Sequence, residues 1–140
     1  MRKIIPMMRI VPHTIKDDKL IVDIKDRGMF CSYVAIPQEY SHIIHENADE
    51  FSSYQLPEDI EYSIYCHGGI TYNTFADDLK KEPKFIALID ITNIDTTNYE
   101  ILGFDYLHLG DTFEKCTPMY IQQKTIDYYN FIKKYISDRL

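Results

Sequence analysis

The chain has 140 residues, 45% of them hydrophobic and 26% charged, a length and balance that fit one globular domain and exclude a disordered chain. Fifteen basic against 22 acidic side chains leave a formal charge of −7, which repels phosphate backbones and excludes general duplex binding. The three cysteines, Cys31, Cys66 and Cys116, include no C-x-x-C pair, so neither a disulfide framework nor a thiolate zinc knuckle is expected.

Residues 1–16 are expected at the periphery of a single domain spanning 1–140. Residues 19–25 (K-L-I-V-D-I-K) are β-branched between polar ends and predict a strand. Residues 29–36 predict a second strand, stopped by Pro37, and the turn-like Asp26-Arg27-Gly28 between them predicts a hairpin. Tyr40, Ile43 and Ile44 can share one face of a short helix. The acidic stretch 46–59 is expected as a loop over the domain, anchored by Phe51, Tyr54 and Leu56.

Residues 61–67 alternate, with Tyr62, Ile64 and Cys66 on one face and Ser63, Tyr65 and His67 on the other, which predicts a strand. Gly68-Gly69 interrupts it and residues 70–72 resume it. The nearly all-apolar run 84–91 predicts a central strand covered on both faces. Residues 93–98 form a turn-rich linker and 100–106 a further strand. The last segment predicts a helix with Thr117 as cap and Pro118 at its first position, where no amide hydrogen is needed. Ile121, Ile126, Tyr129, Ile132, Tyr135 or Ile136, and Leu140 recur at helical spacing, with Lys133, Lys134 and Arg139 near the negative end of its dipole.

These pieces give an α+β fold: a mixed or antiparallel sheet of about five strands with a C-terminal amphipathic helix packed on it. No apolar run approaches the roughly 20 residues that cross a bilayer, and Pro6, Arg9, Pro12 and His13 interrupt any signal sequence. A soluble, cytoplasmic protein with no membrane partner is expected. Two short basic patches, Arg2/Lys3/Arg9 and Lys80/Lys81/Lys84, leave room for a local anion site.

Two segments carry candidate chemistry. In the first, Cys66-His67-Gly68-Gly69-Ile70-Thr71-Tyr72, paired glycines let the backbone adopt positive φ and approach a ligand. Their amides, with Thr71 and Tyr72, could form an anion-binding nest beneath His67. The plainer alternative is a Gly-Gly turn with a histidine packed beside it. In the second, Asp105, His108 and Asp111 are spaced by three and three. They converge only if the chain leaves its strand near Tyr106 and tightens into a turn. Two carboxylates and an imidazole then suit a divalent metal (Zn, Mn or Mg), or a carboxylate-oriented general base. The alternative is an Asx turn at Asp111 beside a surface histidine. His42 and His45, next to Glu46, are explained by a solvated polar face, and His13 has no partner nearby in sequence. Cys31 and Cys66 suit small core residues, and the pairs Asp17-Asp18 and Asp77-Asp78 suit loop charge.

Three blocks stand in order: Cys31-Ser32-Tyr33-Val34-Ala35-Ile36-Pro37, His67-Gly68-Gly69-Ile70-Thr71-Tyr72, and Gly103-Phe104-Asp105-Tyr106-Leu107-His108-Leu109-Gly110-Asp111. With the closing helix, they resemble a group of small phage and prophage proteins. That group carries a C-G-Y-V-G-(I/V)-P-like strand, an H-G-G-(L/I)-T-(F/Y) turn and a G-F-D-x-x-H-x-G-D segment. The resemblance covers roughly residues 29–140. It implies that His67, Gly68, Gly69, Asp105, His108 and Asp111 belong to one site, and that the chain comes from a mobile element. Tyr106, Leu107 and Leu109 stand where the group has small residues, and Ile101-Leu102 where it has an aromatic pair.

Three functions follow as expectations. The first is a phage-encoded accessory protein that binds and inhibits a host defence component or a phosphate-bearing signal molecule. The second is a metal-dependent hydrolase of a phosphoester or nucleotide, with His67, Asp105, His108 and Asp111 as ligands or acid and base. The third is a structural module in which the same side chains bond to one another.

Overall fold

β4 (Cys31–Pro37) is the middle strand of a five-stranded antiparallel sheet ordered β5-β7-β4-β1-β6. On one side it pairs with β7 (Tyr99–Asp105), from Cys31 opposite Asp105 to Pro37 opposite Tyr99. On the other it pairs with β1 (Ile5–Arg9), from Arg9 opposite Cys31 to Ile5 opposite Ala35. β5 (Tyr72–Ala76) and the two-residue β6 (Ile86–Ala87) close the edges, and β2 (His13–Lys16) pairs with β3 (Lys19–Val22) in a separate two-stranded sheet. The computed structural model describes residues 2–9, 13–16, 19–22, 30–50, 55–76, 79–81, 85–112 and 114–140, with no side-chain description at 13–16, 19–22 and 76.

Alternation along the strands sorts two cores. Val34, Ile36, Leu102 and Phe104 face a layer made by α1 (Ser41–His45), α2 (Glu58–Glu61) and α3 (Pro118–Ser137). Tyr33, Ala35, Ile101, Ile5 and Met7 face the other way, beneath Leu79, Phe85, Ile89, Ile91 and Ile94. Both faces of β4 and β7 are therefore covered, which explains their nearly continuous burial. The α+β class, the antiparallel sheet and the helix packed on it match the sequence reading.

Four expectations are corrected. Residues 5–9 are not peripheral: β1 lies inside the sheet, between β4 and β6. The hairpin of 19–25 with 29–36 is absent, because β3 pairs back onto β2 while β1 and β7 occupy both edges of β4. Residues 61–67 are not a strand. Pro57 and the acidic Glu58, Asp59 and Glu61 start α2, as negative charge favours at a helix N-terminus. Turns follow, tightened by the Cys66 amide on the Ser63 carbonyl (3.0 Å). The run 84–91 contributes only the edge strand β6, because Asp90 Oδ1 accepts from both the amide and the hydroxyl of Thr92 and turns the chain. Ile89 and Ile91 then fold over the sheet face instead of extending along it.

The short helix near Tyr40–Ile44 is present as a 3₁₀ turn (Gln38–Tyr40) leading into α1, and Leu56 is buried as expected of an anchor. In α3 the Thr117 hydroxyl accepts from the Tyr120 amide and Pro118 takes the first turn. Its buried face includes Thr125 and Tyr128, while Ile126 and Tyr129 are half-buried and Leu140 is exposed. Polar residues can enter because their hydroxyls are satisfied: Thr125 Oγ1 lies 2.7 Å from Ser32 Oγ and from the Ile121 carbonyl, and Tyr128 donates to the Ile60 carbonyl. The turn expected at Asp26-Arg27-Gly28, the anchors Phe51 and Tyr54, and the pairs Asp17-Asp18 and Asp77-Asp78 lie outside the described residues, as do Met29 and residues 23–25 and 84. No helix among the described residues is long and apolar enough to cross a membrane.

Candidate functional site

Two turns and the start of α3 meet around His67. Gly68 (φ +77) and Gly69 (φ +91) bend the chain after it through the left-handed region, where a side chain is strained. The second turn begins where β7 ends. Asp105 Oδ1 accepts the Leu107 amide (3.1 Å), Asp111 Oδ2 accepts the His108 amide (2.9 Å), and the Asp111 amide donates to the His108 carbonyl (3.0 Å). The chain thus leaves the strand near Tyr106 and tightens, as the spacing of Asp105, His108 and Asp111 requires.

His67 Nε2 lies 2.9 and 3.0 Å from the two carboxylate oxygens of Asp111, and its Nδ1 lies 3.1 Å from the Tyr120 hydroxyl on the first turn of α3. With the Nε2 hydrogen on the carboxylate, Nδ1 can accept from the Tyr120 hydroxyl. The ring stacks on Tyr106 at 4.7 Å and 23°. Burial pushes the Asp111 carboxyl up, but hydrogen bonds from His67 and the His108 amide outweigh it and hold it below the ordinary value.

His108 is turned elsewhere. Its Nε2 is 3.3 Å from Asp105 Oδ1, within ion-pairing distance, yet it is buried and makes no aligned hydrogen bond. We take the contact as electrostatic only, since alignment decides a hydrogen bond. Asp105 Oδ2 accepts from the Thr71 hydroxyl at 3.2 Å. Asp105, Thr71 and Tyr72 line a small pocket of about 200 Å³ with Cys31, Tyr33 and Phe104.

The expected trio Asp105, His108 and Asp111 therefore does not share one focus, because Asp111 engages the backbone of His108 and not its ring. The donors that converge are His67, Asp111 and Cys116, whose ligand atoms lie within 4.8 Å of one another. Two amides of the expected nest, those of Gly69 and Thr71, are engaged internally. The Gly69 amide is bonded to Cys66, the Ile70 amide to the Glu61 carbonyl, and the Thr71 amide to the Gly103 carbonyl.

Sequence reasoning missed Cys116, Tyr106 and Tyr120. A signal for Cys116 was present: it stands just before the Thr117 cap, at the positive end of a helix, where a thiolate is favoured. Of the other two thiols, burial raises Cys31 and pushes Cys66 up to about 12, and Cys116 is itself buried. His45, assigned to a solvated face, is instead half-buried. Its Nε2 is 2.6 Å from Glu100 Oε2, which also accepts from Asn73 (3.0 Å), and its Nδ1 meets the Gln55 carbonyl (2.9 Å). His42 is exposed, and the side chain of His13 lies outside the described residues.

The donor set at His67 fits a zinc-class ion. Tetrahedral nitrogen, oxygen and sulfur donors around zinc stand roughly 3.5 Å apart, so an ion would replace the proton shared by His67 and Asp111 with a modest spreading of the pair. Comparison of the chain with protein-family models, with curated proteins and with solved structures found no match.

Proposed function

We propose that the chain is a metal-dependent hydrolase whose centre is His67, Asp111 and Cys116. One observation carries the proposal: an imidazole, a carboxylate and a thiol from three separate segments bring their donor atoms within 4.8 Å. A thiolate favours zinc over magnesium or manganese. Three protein ligands leave a fourth position for water, as in catalytic zinc sites, where the ion lowers the water pKa to about 7. His108 Nε2, which makes no hydrogen bond and lies 3.3 Å from Asp105 Oδ1, would serve as the proton acceptor for a water held by the ion. The ion would supply a hydroxide for attack on phosphorus as the P–O bond to the leaving group breaks, and His108 would return the proton to the leaving oxygen. A phosphoester or nucleotide is the proposed substrate class, since metal hydroxide beside a proton carrier is what P–O cleavage needs.

The test is metal analysis of purified protein after zinc loading, with cleavage of bis(p-nitrophenyl) phosphate as the activity. One zinc per chain is expected, lost in His67→Ala and Cys116→Ser. His108→Ala should keep the zinc and lose the cleavage. Absence of stoichiometric zinc, or full zinc content in Cys116→Ser, overturns the centre. Full cleavage by His108→Ala overturns the proton carrier.

A second reading, capture of a protein partner, is favoured by Tyr62, Ile64 and Tyr65, which are 64%, 83% and 43% exposed on one turn. Exposed apolar and aromatic side chains grouped in this way serve as interface anchors. Ile64→Asp should abolish capture with stability unchanged, and capture that survives this substitution removes the reading.

A further inference from the structure

A groove with apolar walls lies far from the His67 centre, at the other end of α3. Thirteen residues separate Tyr120 from Lys133, about 20 Å along a helix. Ile4, Tyr40, Ile89, Tyr129 and Ile136 give it apolar walls, and its volume is about 400 Å³, open to solvent along one side. That size falls within the range of sites that bury a small organic molecule.

The charge around it runs against the rest of the chain. The sequence carries 22 acidic side chains against 15 basic ones. Yet the groove is lined by Arg2, Lys3 and Lys133 and by no carboxylate side chain among the described residues. These cations are not equivalent. Arg2 is held by Glu39, with Nη2 2.7 Å from Oε2, and also donates to the Thr97 carbonyl. Lys3 senses the carboxylate of Asp90. Lys133 extends over the Tyr129 ring, with its ammonium 5.7 Å from the ring centroid. Lys133 and Tyr129 both line the groove, so a cation stands beside its apolar walls.

We propose that this groove binds a small apolar carboxylate, with the hydrocarbon body between Ile4, Ile89 and Ile136 and the anionic head on Lys133, supported by Lys3. Apolar walls select the body by area removed from water. The cationic rim selects the head, because a neutral head lacks the opposite charge that strengthens the bond to the ammonium and a cationic head is repelled. The ligand is a free small molecule and not a bilayer surface: a slot of about 400 Å³ holds one chain and offers no broad basic face of the kind that adheres to anionic lipid.

The probe is decanoate below its micelle concentration, titrated into the full chain and followed by backbone amide shifts and by calorimetry. Saturable one-to-one binding is expected, with shifts at Ile4, Ile89, Lys133 and Ile136. Lys133→Glu should weaken it roughly tenfold or more, the loss of one charge-assisted contact, while Lys133→Arg keeps it. Ser137→Trp, at an exposed lining position, should block the slot without disturbing the fold, as a thermal melt would verify. Decanol and decyltrimethylammonium should bind more weakly than decanoate. Equal binding of the three, shifts centred elsewhere, no saturation, or unchanged affinity in Lys133→Glu each overturns the proposal. So does binding to phosphatidylglycerol vesicles without binding to decanoate.

Discussion

The imidazole of His108 occupies the space where a side chain on Gly68 would stand: a Cβ there would fall 2.3 Å from His108 Nε2. Glycine at this position thus serves two needs, positive φ and a seat for the ring. Gly68→Ala should cost about 3 kcal/mol, the left-handed backbone supplying roughly 1–2 kcal/mol and displacement of the ring the rest. Gly110, also at φ +91, has nothing within 4 Å of its Cβ position, so Gly110→Ala should show the backbone cost alone. Urea unfolding of both variants gives the comparison. Equal costs would mean that His108 yields freely.

His67 joins the two turns to α3 through Asp111 and Tyr120. Metal-free His67→Ala removes these bonds and the stacking on Tyr106, at a cost of about 2–4 kcal/mol. A double-mutant cycle with Asp111→Ala should give a coupling of roughly 1–3 kcal/mol. Additive losses would mean that the contact pins nothing.

The pair His45–Glu100 predicts a pH window. The hydrogen bond to Glu100 raises the His45 pKa against an opposing effect of burial. Burial raises Glu100, but bonds from His45 and Asn73 outweigh it and leave the carboxyl low. A raised histidine stabilises the fold fully below its unfolded value of 6.5 and loses that contribution as pH rises through the folded pKa. A depressed carboxyl stabilises it above 4.5 and loses that contribution as pH falls through its own folded pKa. The stability gap between the wild type and His45→Ala should therefore be widest between pH 4.5 and 6.5. Its size there should be about 2 kcal/mol after screening. A gap that stays flat into alkaline pH would contradict the charged pair.

Tyr106, Ser32 and Thr125 form a buried chain of hydroxyls, with oxygens 2.6 and 2.7 Å apart, ending at the Ile121 carbonyl. Thr125 has one hydrogen. Ser32 Oγ and the Ile121 carbonyl are both acceptors for it, and Tyr106 donates to Ser32. Ser32→Ala breaks the chain in its middle and strands the Tyr106 donor, which should cost about 2–3 kcal/mol. Tyr106→Phe removes only the first donor and should cost about 1 kcal/mol. Chemical denaturation ranks the two, and the reverse order would refute this direction of donation.

Strands and helix starts were legible where local chemistry and burial agree. Thr117-Pro118 announces α3 because a cap and a missing amide act within one turn, and Val34 and Leu102 announce strands buried on both faces. Residues 61–67 misled because their alternation has the period of a strand, while the Pro57 start of α2 and the Gly68-Gly69 bend decide the backbone. At the site, the tightening after Asp105 could be read from spacing. The arrival of Cys116 beside His67 could not, since it depends on where α3 docks 49 positions later in the chain. Glu100 was hidden for a similar reason. Its partner His45 reaches it from a helix 55 residues earlier.

The order β5-β7-β4-β1-β6 also governs when this chain can fold. The middle strand has its first neighbour, β1, early, but its second, β7, begins only at Tyr99, and the helix that covers their shared face only at Pro118. Pairings this distant must close long loops before any contact repays them, which makes assembly slow. During synthesis, the face bearing Val34 and Ile36 stays open to other chains until the helix Pro118–Ser137 has emerged. Removing α3 should therefore be felt first as aggregation of the nascent chain.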